Sequence, residues 1–531
     1  MYACPGCGSM MRFDIDTQRL KCEYCGNSVD PKDHPKAAAD AKHESYDMTI
    51  YSCPQCGGEI MAGENEATGF CTYCGATLEL HGRLTEALKP HKIIPFKVTK
   101  DRCKQSYAEA TKKVWCMPKE LTDPDKLERF RGIYLPYWVY QVQQQGPVNL
   151  DGSRTSGSYE ELCHVKFNLD ADYNWMLYDA SSSFADDLSD AIKPYDQKYA
   201  VDFSTAYLSG FFADIADVDC DVYMEDAIDE ANSLTTEGIP KQGGKLADMN
   251  FTEPENPTLA YHTELTSIKR AMVPVWFLTW RDKDRVAYAA VNGQSGKVVA
   301  DYPVDRKAFY LRSLITAVIA FIILMLIPTM QAKSLMTWAM IFACATAIIY
   351  KNNLKGLYQK DHRTEDKGYQ FANQTLTKEH VRKKKKKGSL LIGTFSVVII
   401  IMLYAFVVIA MDDGISEVIA FGRLIFKMVI QICSIAAPII MIINLIQSVK
   451  WGKDHKGLPA FVDVLPIVVA VFAGSYTIAK APAADMPYMI VAVLIYLCIV
   501  FCLMRMIGKY NERCMRPIPE FHNRGGDEIV Q

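Results

Sequence analysis

The sequence predicts a multidomain chain made of two small cysteine-built modules, an α+β domain and an all-α domain of six membrane-crossing helices. Three observations predict it. Two blocks of four cysteines repeat in register within the first 80 residues. Residues 90–305 mix alternating strand patterns with an amphipathic helix. From Phe309 onward, apolar runs of bilayer length recur between short polar loops. With 531 residues, 50% of them hydrophobic, and a net charge of −3, the composition excludes a disordered or collagen-like polymer. The expected boundaries are a first module over 1–30, a linker over 31–48, a second module over 49–80 and the α+β domain over 90–305. Helices 1 and 2 follow over 308–351, a polybasic loop over 352–388, helices 3 to 6 over 389–507 and a tail over 508–531.

The cysteines carry the clearest chemistry. Eight of the seventeen form four CxxC pairs, Cys4/Cys7, Cys22/Cys25, Cys53/Cys56 and Cys71/Cys74. Adding 49 to each number of the first block gives the second, so both are copies of one C-x2-C-x14-C-x2-C module. A glycine after each pair (Gly8, Gly26, Gly57, Gly75) lets the backbone turn tightly enough to aim two sulfurs at one ion. Two such knuckles supply four thiolates, the ligand set of a closed zinc ribbon. In the first copy, alternating residues on either side of an Asp16/Thr17 turn predict the two-stranded ribbon that joins the knuckles. Some thirty residues bury too little core to fold alone, so metal binding and folding are expected to be coupled. Disulfides or redox pairs are the competing reading, but redox CxxC motifs do not come as two register-matched repeats. Four cysteines leave no open coordination position, so the expected cofactor is Zn2+ in two structural sites, with iron the alternative metal. Thiolate sites belong in a reducing compartment, which places the N-terminus in the cytosol. No secretory signal opens the chain.

Nucleic-acid binding is the first functional guess for such ribbons, and charge argues against it. Residues 1–80 carry twelve Asp/Glu against six Lys/Arg, and residues 49–80 carry no Lys or Arg. Phosphate contact by cations supplies most non-specific nucleic-acid affinity, so protein docking is the better reading.

Next, residues 93–98 read as a strand and 100–114 as an amphipathic helix. Pro136-x-Trp138 and Pro274-x-Trp276 lie in strand-like aromatic runs, where proline points to edge strands or strand starts. Residues 285–302 read as a hairpin around Asn292, Gly293 and Gly296. Between 151 and 230 there are nineteen acidic and four basic residues. Asp217, Asp219 and Asp221 share one face if that stretch is a strand, and a solvated acidic edge explains them better than calcium, because no EF-hand loop is present. No nucleotide-binding, metalloprotease or serine-nucleophile motif appears, so no catalytic residue is assigned and the expectation is a non-enzyme.

The six apolar runs fall at 311–330, 335–350, 389–411, 424–446, 461–478 and 486–506. Residues 351–388 carry twelve Lys/Arg, whereas three loops of the other side carry one each, Lys333, Arg423 and Lys480. The positive-inside rule therefore puts both termini in the cytoplasm. Arg382, Lys383, Lys384, Lys385, Lys386 and Lys387 abut the third run, where they can bind anionic lipid head groups or simply anchor the topology. A transporter is the natural alternative for six helices, and Pro438 and Pro466 are candidate helix breaks.

Taken in order, "CPGCG…CEYCG", "CPQCGG…CTYCG", "IIPFKVTK", "GIYLPYWVY", "YLSGFFADIADVD", "VPVWFLTW" and "AVNGQSGKVV" resemble bacterial YdjG-like, TFIIB-type zinc-ribbon membrane proteins over about residues 1–330. That resemblance implies a plasma-membrane scaffold in an envelope-stress system, recruiting PspA-like and SPFH-like proteins. The same eight cysteines are its metal ligands. Six crossings and a polybasic approach to the third depart from the simplest relatives. The functional expectation is a membrane-anchored zinc-ribbon adaptor. A transporter with a regulatory cytosolic domain is the first alternative, and a membrane-tethered nucleic-acid-binding protein the second.

Overall fold

The computed structural model describes residues 2–519 apart from 41–44, 63–67, 80, 157–158, 244–245, 247–248, 253, 325–331, 374–414 and 453–459. The chain divides into two compact units. One comprises Met1–Tyr302 with Arg363–Leu376 and Met515–Gln531, the other Pro303–His362 with Thr377–Cys514.

The first unit is built on a large, mostly antiparallel sheet. Its spine is the long strand Arg131–Ser156, flanked by Thr263–Asp282 on one side and by its hairpin partner Tyr159–Asp179 on the other. Thr263–Asp282 pairs in turn with Arg285–Asn292, which also accepts the short strands Val298–Ala300 and Arg516–Pro517. The hairpin expected over 285–302 is therefore present, with Val291 opposite Val298.

The proline reading needs correction. Pro136 and Pro274 both lie inside central strands, opposite Met272 and Tyr134. Each sits where the ladder on its other flank runs out: pairing to Tyr159–Asp179 begins at Tyr137, and pairing to Arg285–Asn292 begins at Val275. A missing N–H costs nothing at such a point, so a central strand tolerates proline there.

The core above this sheet is aromatic. Phe96 stacks on Phe211 with ring centroids 4.4 Å apart and meets Tyr134 and Trp276 edge-on or tilted. The Trp276 indole N–H donates to the Val98 carbonyl at 2.7 Å, which fixes the strap over 93–98. Gly293 is required beside it, because a Cβ there would lie 2.7 Å from the Phe96 ring. The strand expected at 93–98 is reduced to Lys92–Ile93. Helix Lys100–Lys112 follows, as its pattern predicts. Thr99 caps it by accepting from the Arg102 N–H, and Cys103, Tyr107 and Thr111 form a buried stripe at intervals of four.

The acidic stretch is not a strand. Residues 220–223 form a 3-10 turn capped by the Asp219 carboxylate, while Asp217 turns inward to accept from the Ser182 N–H and hydroxyl. Aspartate competes well for local backbone donors, and here those bonds win over extension.

Among the described residues of the second unit, four helices are long and apolar enough to cross a membrane, namely Ala332–Asp361, Ser434–Gly452, Phe461–Lys480 and Met486–Arg513. They match the second, fourth, fifth and sixth expected runs. The first run falls on helix Arg306–Leu324 and continues past the described residues. The third run and the cations Arg382 to Lys387 lie outside the described residues. Small side chains let the helices approach: Ala339, Ala343 and Ala347 are fully buried, and Gly474 packs against the Met340 side chain. Neither proline breaks its helix, since Pro438 lies inside Ile415–Gly452 and Pro466 inside Ala460–Lys480.

Candidate metal centres

Both four-cysteine blocks close into clusters. In each, the four sulfurs lie within 4.8 Å of one another, as Cys4, Cys7, Cys22 and Cys25, and as Cys53, Cys56, Cys71 and Cys74. All four knuckles use one backbone device. The first cysteine's carbonyl accepts from the glycine four residues on (Gly8, Gly26, Gly57, Gly75) at 2.8–3.0 Å, while its N–H donates to the residue five on. Every one of these glycines is left-handed, with φ between 71° and 75°, which a side chain would strain.

The geometry suits a tetrahedral metal and excludes a disulfide. Cys4–Cys25 and Cys7–Cys22 sulfurs are 3.5 Å apart, and Cys53–Cys74 and Cys56–Cys71 are 3.7 Å apart. Four sulfurs at about 2.3 Å from a central zinc would be separated by about 3.8 Å, whereas a disulfide bond is about 2.05 Å long. Every described cysteine is free of a disulfide.

The electrostatics ask for a cation. In the second cluster, hydrogen bonds from Cys56, Cys71 and Cys74 hold the Cys53 thiol far below its ordinary value, and that same contact drives Cys56 and Cys71 well above theirs. Four thiols this close cannot all ionise against one another, and a divalent ion resolves the conflict. In the first cluster, burial raises the Cys4 thiol. The N–H groups of Gly6 and Cys7 and the Asn27 amide outweigh that and bring it down to about 6.

The clusters differ in setting. The first sits on its own three-stranded sheet, Met11–Asp14, Arg19–Cys22 and Ser28–Val29, one strand more than the expected ribbon. Its buried face packs Tyr2, Met11, Phe13 and Leu20 onto the main core, and Phe13 N–H donates to the Ser209 carbonyl at 3.0 Å. Cys7 and Cys25 remain exposed.

The second cluster is woven into the large sheet. Glu59–Ala62 pairs with Ser45–Ser52, which pairs with His81–Leu88, and Met61 meets Ala213 of a strand parallel to the spine. All four of its cysteines are buried, together with Ile60 and Tyr73. The Tyr288 hydroxyl donates to the Tyr73 carbonyl at 2.7 Å, and the Thr279 hydroxyl donates to the Thr72 carbonyl. Arg129 and Arg131 line a cleft together with Cys71, Thr72, Phe277 and Thr279.

Two other polar constellations escape the sequence reading. Beside the spine, Asp179, Asp186 and Asp366 gather from three parts of the chain. Lys367 N–H donates to Asp186 at 2.8 Å, and Arg516 grips Asp187 through two bonds of 2.7 Å. Burial raises Asp186 to about 6 and Asp366 to about 7, and it lifts Asp179 well above the carboxylate range. In the helical unit, buried Asp463 accepts from the Tyr350 hydroxyl at 2.6 Å and from Arg505 at 2.8 Å, joining three helices. An acid opening one apolar run and an arginine closing another were the available signal. A third acidic group, Asp219, Cys220 and Asp221, is solvent-facing and adds no built site.

A chain with two four-cysteine clusters able to hold a metal ion on a sheet-rich unit, followed by helices of membrane-crossing length, is the class that fold and site define. It is similar to YdjG of Bacillus subtilis (strain 168), itself described as uncharacterized, with 28% identity over 315 residues. The match covers 57% of this chain and 90% of YdjG. No family model matches the sequence, and no solved structure matches it.

Proposed function

We propose that the protein is a zinc-stabilised adaptor anchored in the bacterial plasma membrane, which docks cytosolic proteins through its sheet-rich unit. The observation that carries this reading is the closed character of both clusters. Four cysteines occupy every position of a tetrahedral ion, so the metal shapes a surface and has no free position for substrate. The surface it shapes is acidic, which favours basic protein partners over nucleic acid. PspA-like and SPFH-like proteins, the partners implied by the YdjG-like resemblance, are the partners proposed. In this reading six helices anchor the chain, both termini face the cytoplasm, and Arg382 to Lys387 meet anionic lipid.

The test is purification of the full chain from its native cell in mild detergent, with mass spectrometry of co-eluting proteins and metal analysis of the same sample. Two zinc ions per chain with PspA-like or SPFH-like proteins are expected. Recovery of the zinc-loaded chain alone would overturn the adaptor reading. A second reading, transport, is favoured by buried Asn444, Ser448 and Asp463 in the helical unit. It predicts solute flux in liposomes that Asp463→Asn abolishes.

A further inference from the structure

The distal part of the long hairpin carries an edge whose charges are arranged about a centre. Strand Tyr159–Asp179 pairs only with Arg131–Ser156 among the described residues, so its other edge presents a row of unpaired backbone groups. Along residues 163–173 the two faces alternate cleanly. His164, Lys166, Asn168, Asp170 and Asp172 are exposed on one face, while Val165, Phe167, Leu169, Ala171 and Tyr173 are half-buried on the other.

The polar face is antisymmetric about Asn168. The Lys166 cation lies two residues before it and the Asp170 anion two after, with the imidazole of His164 four residues before and the Asp172 carboxylate four after. Lys166 and Asp170 make no ion pair among the described residues, and His164 faces Asp151 across its own hairpin. Most edge strands are guarded by charge that repels a copy of themselves. Here, an antiparallel copy in register would set Lys166 against Asp170 twice and His164 against Asp172 twice. Asn168 would meet its own counterpart, and on the apolar face Phe167 would meet Leu169 and Val165 would meet Ala171.

We propose that this edge is a homodimer interface, in which Tyr159–Asp179 of two copies pair antiparallel about Asn168 and continue the sheet from one chain into the next. The partner is a second copy because the charge pattern complements itself only when the strand is reversed. A parallel copy in register would set Lys166 against Lys166. The interface is independent of the adaptor reading and would serve a transporter equally.

The experiment is site-directed cross-linking of the full chain in isolated membranes, read as a covalent dimer on a non-reducing gel. Directly opposed residues have Cβ atoms about 4.5–5.5 Å apart, so Asn168→Cys is expected to form a disulfide-linked dimer. Asn174→Cys, on the same exposed face, is expected to form none, because the two copies of that residue would lie about 40 Å apart at ~3.4 Å per residue. Lys166→Asp added to Asn168→Cys is expected to abolish the cross-link, and Lys166→Asp with Asp170→Lys to restore it. All four substitutions lie on exposed positions, so folding is preserved. Absence of a dimer with Asn168→Cys, equal cross-linking at Asn174, or a single-chain mass for the native protein in nanodiscs would each overturn the proposal.

Discussion

The two four-cysteine modules share one spacing and one set of knuckle hydrogen bonds, yet one is a peripheral staple and the other is tied into the main sheet. In the first, the sheet that carries the cysteines is separate and two of the four sulfurs reach solvent. In the second, Ser45–Ser52, Glu59–Ala62 and His81–Leu88 join the large sheet while Thr68–Phe70 and Thr77–Glu79 form a two-stranded ribbon of their own, and no cysteine is exposed. The difference teaches that a metal module's local geometry does not say how much of the protein depends on its ion. That is set by what the flanking strands pair with.

The largest effect should come from the second module. Structural zinc sites carry about 10–16 kcal/mol of binding free energy at neutral pH, which matches or exceeds the roughly 5–15 kcal/mol that holds a typical domain. Cys53→Ser with Cys56→Ser is therefore expected to unfold the sheet-rich unit, seen as general protease sensitivity across residues 2–302. Cys7→Ser with Cys25→Ser should remove one metal equivalent and expose only residues 2–34 to protease. If both double variants melt the whole unit, the two modules are energetically one.

Chelation separates the modules without mutation. Metal is expected to leave the wild-type chain in two phases, a fast equivalent from the cluster with exposed Cys7 and Cys25 and a slow one from the buried cluster. A single phase of two equivalents would break the comparison. Tyr288→Phe sharpens it, because the lost bond to the Tyr73 carbonyl is worth about 1 kcal/mol. Roughly a fivefold faster slow phase is the expected result, with the fast phase unchanged.

The smallest effect is a pH dependence on the second module's side. Arg516 lies 5.8 Å from the Tyr288 ring and holds Asp187, close to the buried acids Asp186 and Asp366. Burial raises Asp186 to about 6 and Asp366 to about 7, above their unfolded values near 3.8. The folded state therefore binds more protons than the unfolded one across that window, and its stability falls as pH rises from about 4 to about 7. Thermal melting of the sheet-rich unit should shift upward by a few degrees between pH 8 and pH 6, and Asp366→Asn should flatten that shift. An unchanged profile in Asp366→Asn would show that Asp186 and Asp179 carry the effect.

Much of the candidate site was legible in the sequence, because chelation chemistry is local. A CxxC followed by glycine encodes its own turn, and four such turns at matched spacing encode two clusters. The apolar runs at 335–350, 461–478 and 486–506 were legible for a similar reason, since helix formation in an apolar segment needs only the segment itself. The role of Pro136 and Pro274 was not legible, because whether a proline sits at an edge depends on where a distant neighbour's ladder stops. Nor was the gathering of Asp179, Asp186 and Asp366, which lie up to 187 positions apart in the chain. The acidic stretch was decided locally: extended, it would have set Asp217, Asp219 and Asp221 on one face, but the Asp219 carboxylate accepts from a nearby backbone N–H and closes a turn, with Asp219 and Asp221 left at the solvent.

The sequence by itself determined the eight clustered cysteines, their division into two equal groups that could hold a metal ion and the presence of helices long and apolar enough to cross a membrane. These depend on contacts within a few tens of residues. Only the tertiary structure decided which cluster is buried, which strand edge is left open and which acids lose their solvent. Burial is a property of what arrives from elsewhere in the chain, and it sets both the worth of a metal site and the charge state of a carboxylate.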